Sequence, residues 1–177
     1  MSAYLRSILR TYRVYQDLGE RAIAQVESDA DLHAQLDPES NSIAVIVKHV
    51  GGNLRSRFTD FLTTDGEKPD RHRDGEFEME GPASRKEIMR WWNEGWSTVI
   101  ATIESLTPND IEGTVRIRGE ELLVVDALNR SVTHIAYHVG QIVYLARHLT
   151  GAGWTTLSIP KGRSADYTPV SSKGRKS

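Results

Sequence analysis

The 177-residue sequence contains no cysteine, which excludes disulfide bonds, thiolate metal sites and a cysteine nucleophile. An excess of one charge is also missing, because 24 acidic side chains nearly balance 22 basic ones. We therefore expect no nucleic-acid partner and no electrostatic attraction to membranes. Long hydrophobic runs are lacking too, since no stretch approaches the roughly 18 apolar residues of a membrane span. The arginines near the N-terminus are unlike a signal peptide, so we predict a cytoplasmic protein.

Apolar residues instead recur at helical spacing in four segments, at about residues 3–27, 42–62, 84–106 and 126–150. The first helix is expected to loosen around Gly19. Ser84 opens the third helix as part of a capping box, and Asp126 is expected to cap the fourth. Four long amphipathic helices predict an all-α fold, a four-helix bundle.

Three features interrupt this helical pattern. Gly51 and Gly52 lie in the middle of the second helix, where each costs roughly 1 kcal/mol relative to alanine. They predict the close approach of a neighbouring helix or a ligand. Residues 63–82 form a long polar loop, and loops of more than about 12–15 residues are usually functional or disordered. Residues 113–125 place two short apolar stretches around Gly119, which predicts a β-hairpin or extended excursion before the last helix.

The organisation of the chain follows from these segments. Residues 1–160 are predicted to form a single domain, because they contain one set of amphipathic helices and no internal repeat. Residues 161–177 are predicted to be a flexible C-terminal tail, since they are polar and end in SSKGRKS.

Three histidines form the candidate functional site. His134 and His138 are four residues apart on the fourth helix, so both imidazoles project from one face and can share an ion. His49 lies in the middle of the second helix, on the flank of its apolar stripe. If these helices face each other, the three side chains meet at one divalent metal ion such as zinc, nickel, iron or copper. The alternative is that each is an ordinary buried or boundary histidine.

The remaining histidines fit this site less well. His148 is ten residues beyond His138, roughly 15 Å along a helix at 1.5 Å per residue. His33 and His72 lie in loops, and His72 is only a weak candidate for a fourth ligand.

Polar side chains near the histidines are candidates for contacts with a substrate. Asn53 and Arg57 follow His49 by one and two turns, Arg130 precedes His134 by four residues, and Gln141 follows His138 by three. If both arginines face the site, they favour an anionic substrate or a carboxylate-bearing thiol. The alternative for each arginine is a solvated position on the helix flank.

Two segments carry a resemblance to a known group of proteins. IVKHVGGNLRSR on one helix and THIAYHVGQIVYLAR on the last resemble the DinB/YfiT-like superfamily of metalloenzymes. The loop DGEKPDRHRDGEF and the later LSIPKG resemble a domain-of-unknown-function branch of it, and the similarity runs from about Tyr4 to Lys161. The resemblance implies an up-down-down-up four-helix bundle, a homodimer, and zinc or nickel bound by His49, His134 and His138.

Three protein ligands leave an open coordination position, which is typical of catalytic metal sites. Such a site can activate a water molecule or bind a substrate thiolate. Members of the superfamily use low-molecular-weight thiols such as bacillithiol and mycothiol, so the resemblance implies a small-thiol-dependent S-transferase. The alternatives are a metal-dependent hydrolase of small molecules and a non-catalytic metal- or ligand-binding stress-response module.

Overall fold

The computed structural model describes residues 1–166, so residues 167–177 of the predicted tail lie outside the described residues. Four α-helices dominate the described chain: α1 (Ala3–Ile23), α2 (Ile43–Phe58), α3 (Arg85–Ser105) and α4 (Val124–Thr150). A small antiparallel sheet of β1 (Thr114–Ile117) and β2 (Glu120–Leu123) precedes α4. The mostly helical structure agrees with the predicted all-α class, and the small sheet confirms the predicted hairpin.

Serine side chains begin the first three helices. The hydroxyl oxygens of Ser2, Ser42 and Ser84 each accept a hydrogen bond from the backbone N–H three residues later. The fourth helix begins differently, and the predicted Asp126 cap is wrong. β2 leads directly into α4, whose N-cap residue is Leu123, and Asp126 lies inside the first turn. The N–H of Val124 donates to the carbonyl oxygen of Gly113 at 2.9 Å, so the backbone of the hairpin region replaces a side-chain cap.

The hairpin turn is held by a side chain of the long loop. Arg118 and Gly119 both have positive φ angles, 58° and 78°, as a tight two-residue turn requires. A non-glycine residue in this region costs roughly 1–2 kcal/mol. The carboxylate of Asp65 accepts hydrogen bonds from both backbone N–H groups, at 2.8 Å and 2.7 Å. These two bonds fix the turn and join the hairpin to the loop.

The helices pack in four pairs: α2 on α3, α1 on α4, α1 on α3 and α2 on α4. Gly51, the first glycine of the pair in α2, lies at a close contact between α2 and α3. A Cβ atom added to Gly51 would lie 2.4 Å from the carbonyl oxygen of Trp91, and one added to Gly95 would lie 2.8 Å from the Cα of Gly51. The predicted close approach of a neighbouring helix is therefore confirmed.

The predicted loosening of α1 at Gly19 is wrong, because the helix continues through this position. A Cβ atom there would lie 2.4 Å from Cη2 of Trp92, so Gly19 makes room for the indole ring. Trp92 is fully buried and its Nε1 donates to Glu20 at 3.1 Å. Within residues 1–166, no helix combines the length and the apolar character needed to cross a membrane.

Candidate metal centre

Two helices bring three imidazole rings together. His49 projects from α2, and His134 and His138 project from α4. Nε2 of His134 lies 3.2 Å from Nε2 of His49 and 3.1 Å from Nε2 of His138. One nitrogen from each ring lies within 4.8 Å of the others. His49 is buried, and the other two are half-buried. The three residues are therefore close enough to hold one metal ion.

Hydrogen bonds on the far side of two rings determine where their protons lie. Nδ1 of His49 is 2.8 Å from Oε2 of Glu76, and Nδ1 of His138 is 2.8 Å from Oε1 of Gln141. A carboxylate or amide oxygen only accepts, so each Nδ1 carries the hydrogen. In a neutral ring the Nε2 atom then presents a lone pair. The Gln141 amide is oriented in turn, because its Nε2 donates to the hydroxyl of Tyr137 at 3.2 Å.

The donor set fits a divalent cation. The Nε2 lone pairs of His49 and His138 face a third nitrogen, that of His134, and lone pairs at this separation repel unless a cation or proton lies between them. Neighbouring nitrogens of a tetrahedral zinc site are about 3.4 Å apart, close to the separations here. Neutral imidazoles with oriented Nδ1–H groups are the usual ligands of zinc, nickel and copper.

Two of the three imidazoles, those of His134 and His138, have lowered pKa values. Burial lowers the pKa of His134 from 6.5 to about 4, with further lowering by the two neighbouring imidazoles. Burial also lowers the pKa of His138, although the hydrogen bond to Gln141 acts in the opposite direction. A metal ligand must give up its proton, so a depressed pKa removes competition between protons and the metal.

A carboxylate of the long loop supports the site. Burial raises the pKa of Glu76, but the hydrogen bonds from His49 and Arg71 outweigh burial and the pKa is lowered. The guanidinium of Arg71 binds both oxygens of Glu76, at 2.8 Å and 2.9 Å, in the bidentate geometry that suits this pair. Gly52 makes room for this carboxylate, since a Cβ atom there would lie 2.5 Å from Oε1 of Glu76. The second glycine of the pair therefore serves the site.

Further contacts hold the loop against α2. The ammonium group of Lys48 donates to the carbonyl oxygens of Gly75 and Glu78, both at 2.7 Å. The ring of Phe77 packs on that of His49 with centroids 4.6 Å apart. The loop predicted to be functional or disordered is thus ordered beside the histidines.

Three of the four other candidate residues line one cavity beside the histidines, and the fourth contacts a histidine directly. Asn53, Arg57 and Arg130 line a cavity of about 180 Å³ that also includes His49 and His134. Gln141 does not line this cavity, and instead contacts Nδ1 of His138. His33 contacts the carbonyl oxygen of Ala83, His72 accepts from the N–H of Gly75, and His148 is exposed.

The carboxylate partner of His49 is not among the residues that the sequence singles out. The structure supplies Glu76 from a short 3₁₀ turn, Asp74–Glu76, within the long loop. Arg71 was not predicted either. The length of the loop was the available signal, since an ordered polar loop of this size usually has a function.

The fold and site define a mostly helical protein with a three-histidine cluster that could hold a metal ion. Residues 1–163 match the family described as "Protein of unknown function (DUF1572)", and the chain belongs to this family. No curated protein matches the chain.

Proposed function

We propose that this protein is a DinB-like metal-dependent enzyme whose His49, His134 and His138 bind one divalent ion, zinc or nickel, through Nε2. The observation that carries this proposal is that the three histidines converge on one point. In His49 and His138 the Nδ1 hydrogen is bound by Glu76 or Gln141, so Nε2 is left free to bind the ion. Glu76 and Gln141 therefore fix the tautomers of two of the three proposed ligands without being ligands themselves.

The packing of the helices supports a DinB-like, up-down-down-up bundle. Each of the four helices packs against two others, which is the arrangement of four helices around a shared core. The histidines come from α2 and α4, one of the packed pairs. A site between facing helices is where bundles commonly bind metals.

A small-thiol-dependent S-transferase is the activity that the surroundings favour. A divalent ion with three protein ligands lowers the pKa of a thiol or a water molecule that it binds. Among the described residues, the side chains lining the adjacent cavity include no carboxylate that could act as a general base. A thiol, with an ordinary pKa near 8.5, needs far less help to ionise than water at about 15.7. The cavity is therefore better suited to a thiol nucleophile.

The transfer reaction balances without a further reactant. The thiol sulfur forms a bond to an electrophilic carbon of a small molecule, and the leaving group departs with the bonding electron pair. The thiol proton passes to solvent. The chain contributes by holding the imidazoles through Glu76 and Gln141 and by binding the substrate in the cavity.

A panel of thiols and electrophiles tests the proposal. Wild-type protein, protein treated with chelator and then reloaded with zinc or nickel, and His134→Ala are compared at equal concentration. Transfer that requires both thiol and metal, and that is lost in His134→Ala, is the expected result. Turnover without thiol would select a metal-dependent hydrolase.

Absence of turnover across the panel, together with a sharp loss of thermal stability on chelation, would select a non-catalytic metal- or ligand-binding module. His148→Ala is the matched control, because His148 is exposed on the same helix and outside the cluster. The homodimer, the single domain of residues 1–160 and the cytoplasmic location stay predictions.

A further inference from the structure

The cavity beside the histidines has a pronounced positive lining. It lies next to His49 and His134 and has a volume of about 180 Å³. Its lining includes five arginines: Arg57, Arg71, Arg73, Arg118 and Arg130. Three carboxylates pair with members of this set, those of Glu67, Glu76 and Asp74, and none of the three lines the cavity. Positive charge therefore exceeds negative charge around this space.

The arginines differ in how many of their guanidinium N–H groups already have a hydrogen-bond partner. Arg71 is nearly buried, and its donors are directed to Glu76 and Glu67. Arg57 is different, because its Nη2 donates to Glu67 at 2.9 Å whereas its Nη1 is buried and has no hydrogen-bond partner in residues 1–166. A buried charged donor without a partner is costly, so such groups usually have a ligand or a specific role.

A second arginine with free donors lines the cavity from α4. Arg130 lies on α4 one turn before His134 and lines the same cavity. Within residues 1–166 its guanidinium forms no ion pair. Arg57 on α2 and Arg130 on α4 therefore present unused donors to one space that adjoins two of the metal-binding candidates.

We propose that this cavity is an oxyanion subsite, in which Arg57 and Arg130 bind a carboxylate or phosphate group of the substrate. The proposal rests on the proposed function, because it names the substrate class of the same site. Phe58, Phe61 and Ile117 line the cavity as well, and provide an apolar wall for the body of a small molecule.

The size of the cavity limits what it can hold. Sites for whole drug-sized ligands are about 300–1,000 Å³, which is larger than the 180 Å³ here. The cavity is therefore suited to the anionic end of a substrate, with the reacting end towards the histidines. Guanidinium groups bind planar oxyanions through paired hydrogen bonds, which provides selectivity over neutral groups of the same shape.

Binding of benzoate and benzamide tests this assignment, because the two probes share a shape and differ in charge. Dissociation constants are measured by NMR titration of zinc-loaded and of chelator-treated protein, and the zinc content of each sample is determined. The variants are Arg57→Met, Arg130→Gln and the control Arg55→Met. Arg55 is an exposed arginine on α2 that lines a different groove.

Wild-type protein is expected to bind benzoate at least roughly tenfold more tightly than benzamide, because one charge-assisted hydrogen bond contributes about that much affinity. The preference should persist without zinc, fall towards unity in Arg57→Met and Arg130→Gln, and remain in Arg55→Met. Displacement of benzoate by inorganic phosphate or by acetate then distinguishes a phosphate-bearing from a carboxylate-bearing substrate.

Equal binding of benzoate and benzamide to wild type would overturn the subsite. So would a preference for benzoate that is lost when zinc is removed, or one that survives in both Arg57→Met and Arg130→Gln. Arg130→Gln keeps the test decisive if Arg57→Met fails to fold, because Arg130 is exposed and forms no ion pair in residues 1–166. Since zinc content is measured separately, loss of the metal site and loss of the anion subsite give different results.

Discussion

Nδ1 of His49 donates a hydrogen bond to Oε2 of Glu76 at 2.8 Å, although 27 residues separate the two in the chain. Both side chains are buried. This contact joins the middle of α2 to the long polar loop, and it directs the Nε2 lone pair of His49 towards His134. The loop is thereby part of the candidate metal centre.

The role of this contact leads to a prediction for Glu76→Gln. A neutral amide accepts a weaker hydrogen bond than a carboxylate and no longer neutralises Arg71, so the ring of His49 becomes less basic and less firmly oriented. We expect zinc affinity to fall by roughly 10- to 100-fold. Competition with a chromophoric chelator measures the affinity. Glu80→Gln is the control, because Glu80 is exposed in the same loop; equal affinities in the two variants would rule out the supporting role of Glu76.

Gly52 provides a second test of the same contact. The methyl group of Gly52→Ala would lie 2.5 Å from Oε1 of Glu76, so the carboxylate must shift and its bond to His49 is expected to weaken. Alanine favours the helix by about 1 kcal/mol, which offsets part of the crowding. We expect a clear loss of zinc affinity with a small change in the free energy of unfolding. Unchanged zinc affinity in the folded variant would show that Gly52 is not needed for the site.

The close approach of α2 and α3 predicts opposite effects at two helical glycines. The methyl group of Gly51→Ala would lie 2.4 Å from the backbone oxygen of Trp91, which cannot move without shifting α3. We expect the free energy of unfolding to fall by about 1–3 kcal/mol, as overpacking usually costs. Gly140→Ala has no neighbouring atom within 4 Å in the described chain, so it should be neutral or stabilising by up to about 1 kcal/mol. Urea denaturation measures the free energy of unfolding of both variants. Similar values for the two variants would contradict the close packing of α2 on α3 at Gly51.

The depressed pKa of His134 predicts how the stability of the metal-free protein depends on pH. Its pKa is about 4 in the folded protein and near 6.5 when unfolded, so between these values the unfolded chain binds a proton that the folded chain does not. The contribution of His134 to the free energy of unfolding is therefore fully present above pH 6.5, and it declines as the pH falls towards 4. Urea midpoints of chelator-treated wild type and His134→Gln at pH 7 and pH 5 measure the effect. The variant should lose less stability than wild type over this interval, and an equal or larger loss would contradict the assigned pKa.

Much of the helical structure follows from local signals in the sequence. The apolar spacing identifies all four helices. Ser84 caps α3 as predicted. This cap could be predicted because it needs only a hydroxyl oxygen and a backbone N–H three residues apart in the sequence. The start of α4 could not be predicted from Asp126 in this way. There the cap is a backbone contact between Val124 and Gly113, which depends on the hairpin having formed.

The candidate site was predictable to a similar extent. Helical periodicity alone places His134 and His138 on one face, and the apolar stripe of α2 directs His49 inward. Glu76 and Arg71 were missed because they lie in a loop without periodicity, where position depends on contacts with distant residues. The free donor of Arg57 was equally hidden, since it depends on which oxygens of Glu67 are already bound.

We propose that three imidazoles hold one ion, and metal analysis combined with X-ray absorption spectroscopy can count both the ion and its ligands. Purified wild-type protein reconstituted with zinc or nickel is expected to retain one ion per chain, with three imidazole nitrogens at about 2.0–2.1 Å. His49→Ala, His134→Ala and His138→Ala should each lose the ion while remaining helical by circular dichroism, and His148→Ala should keep it. A wild-type protein that retains no stoichiometric metal, or a spectrum without imidazole scattering, would contradict metal binding by the three histidines.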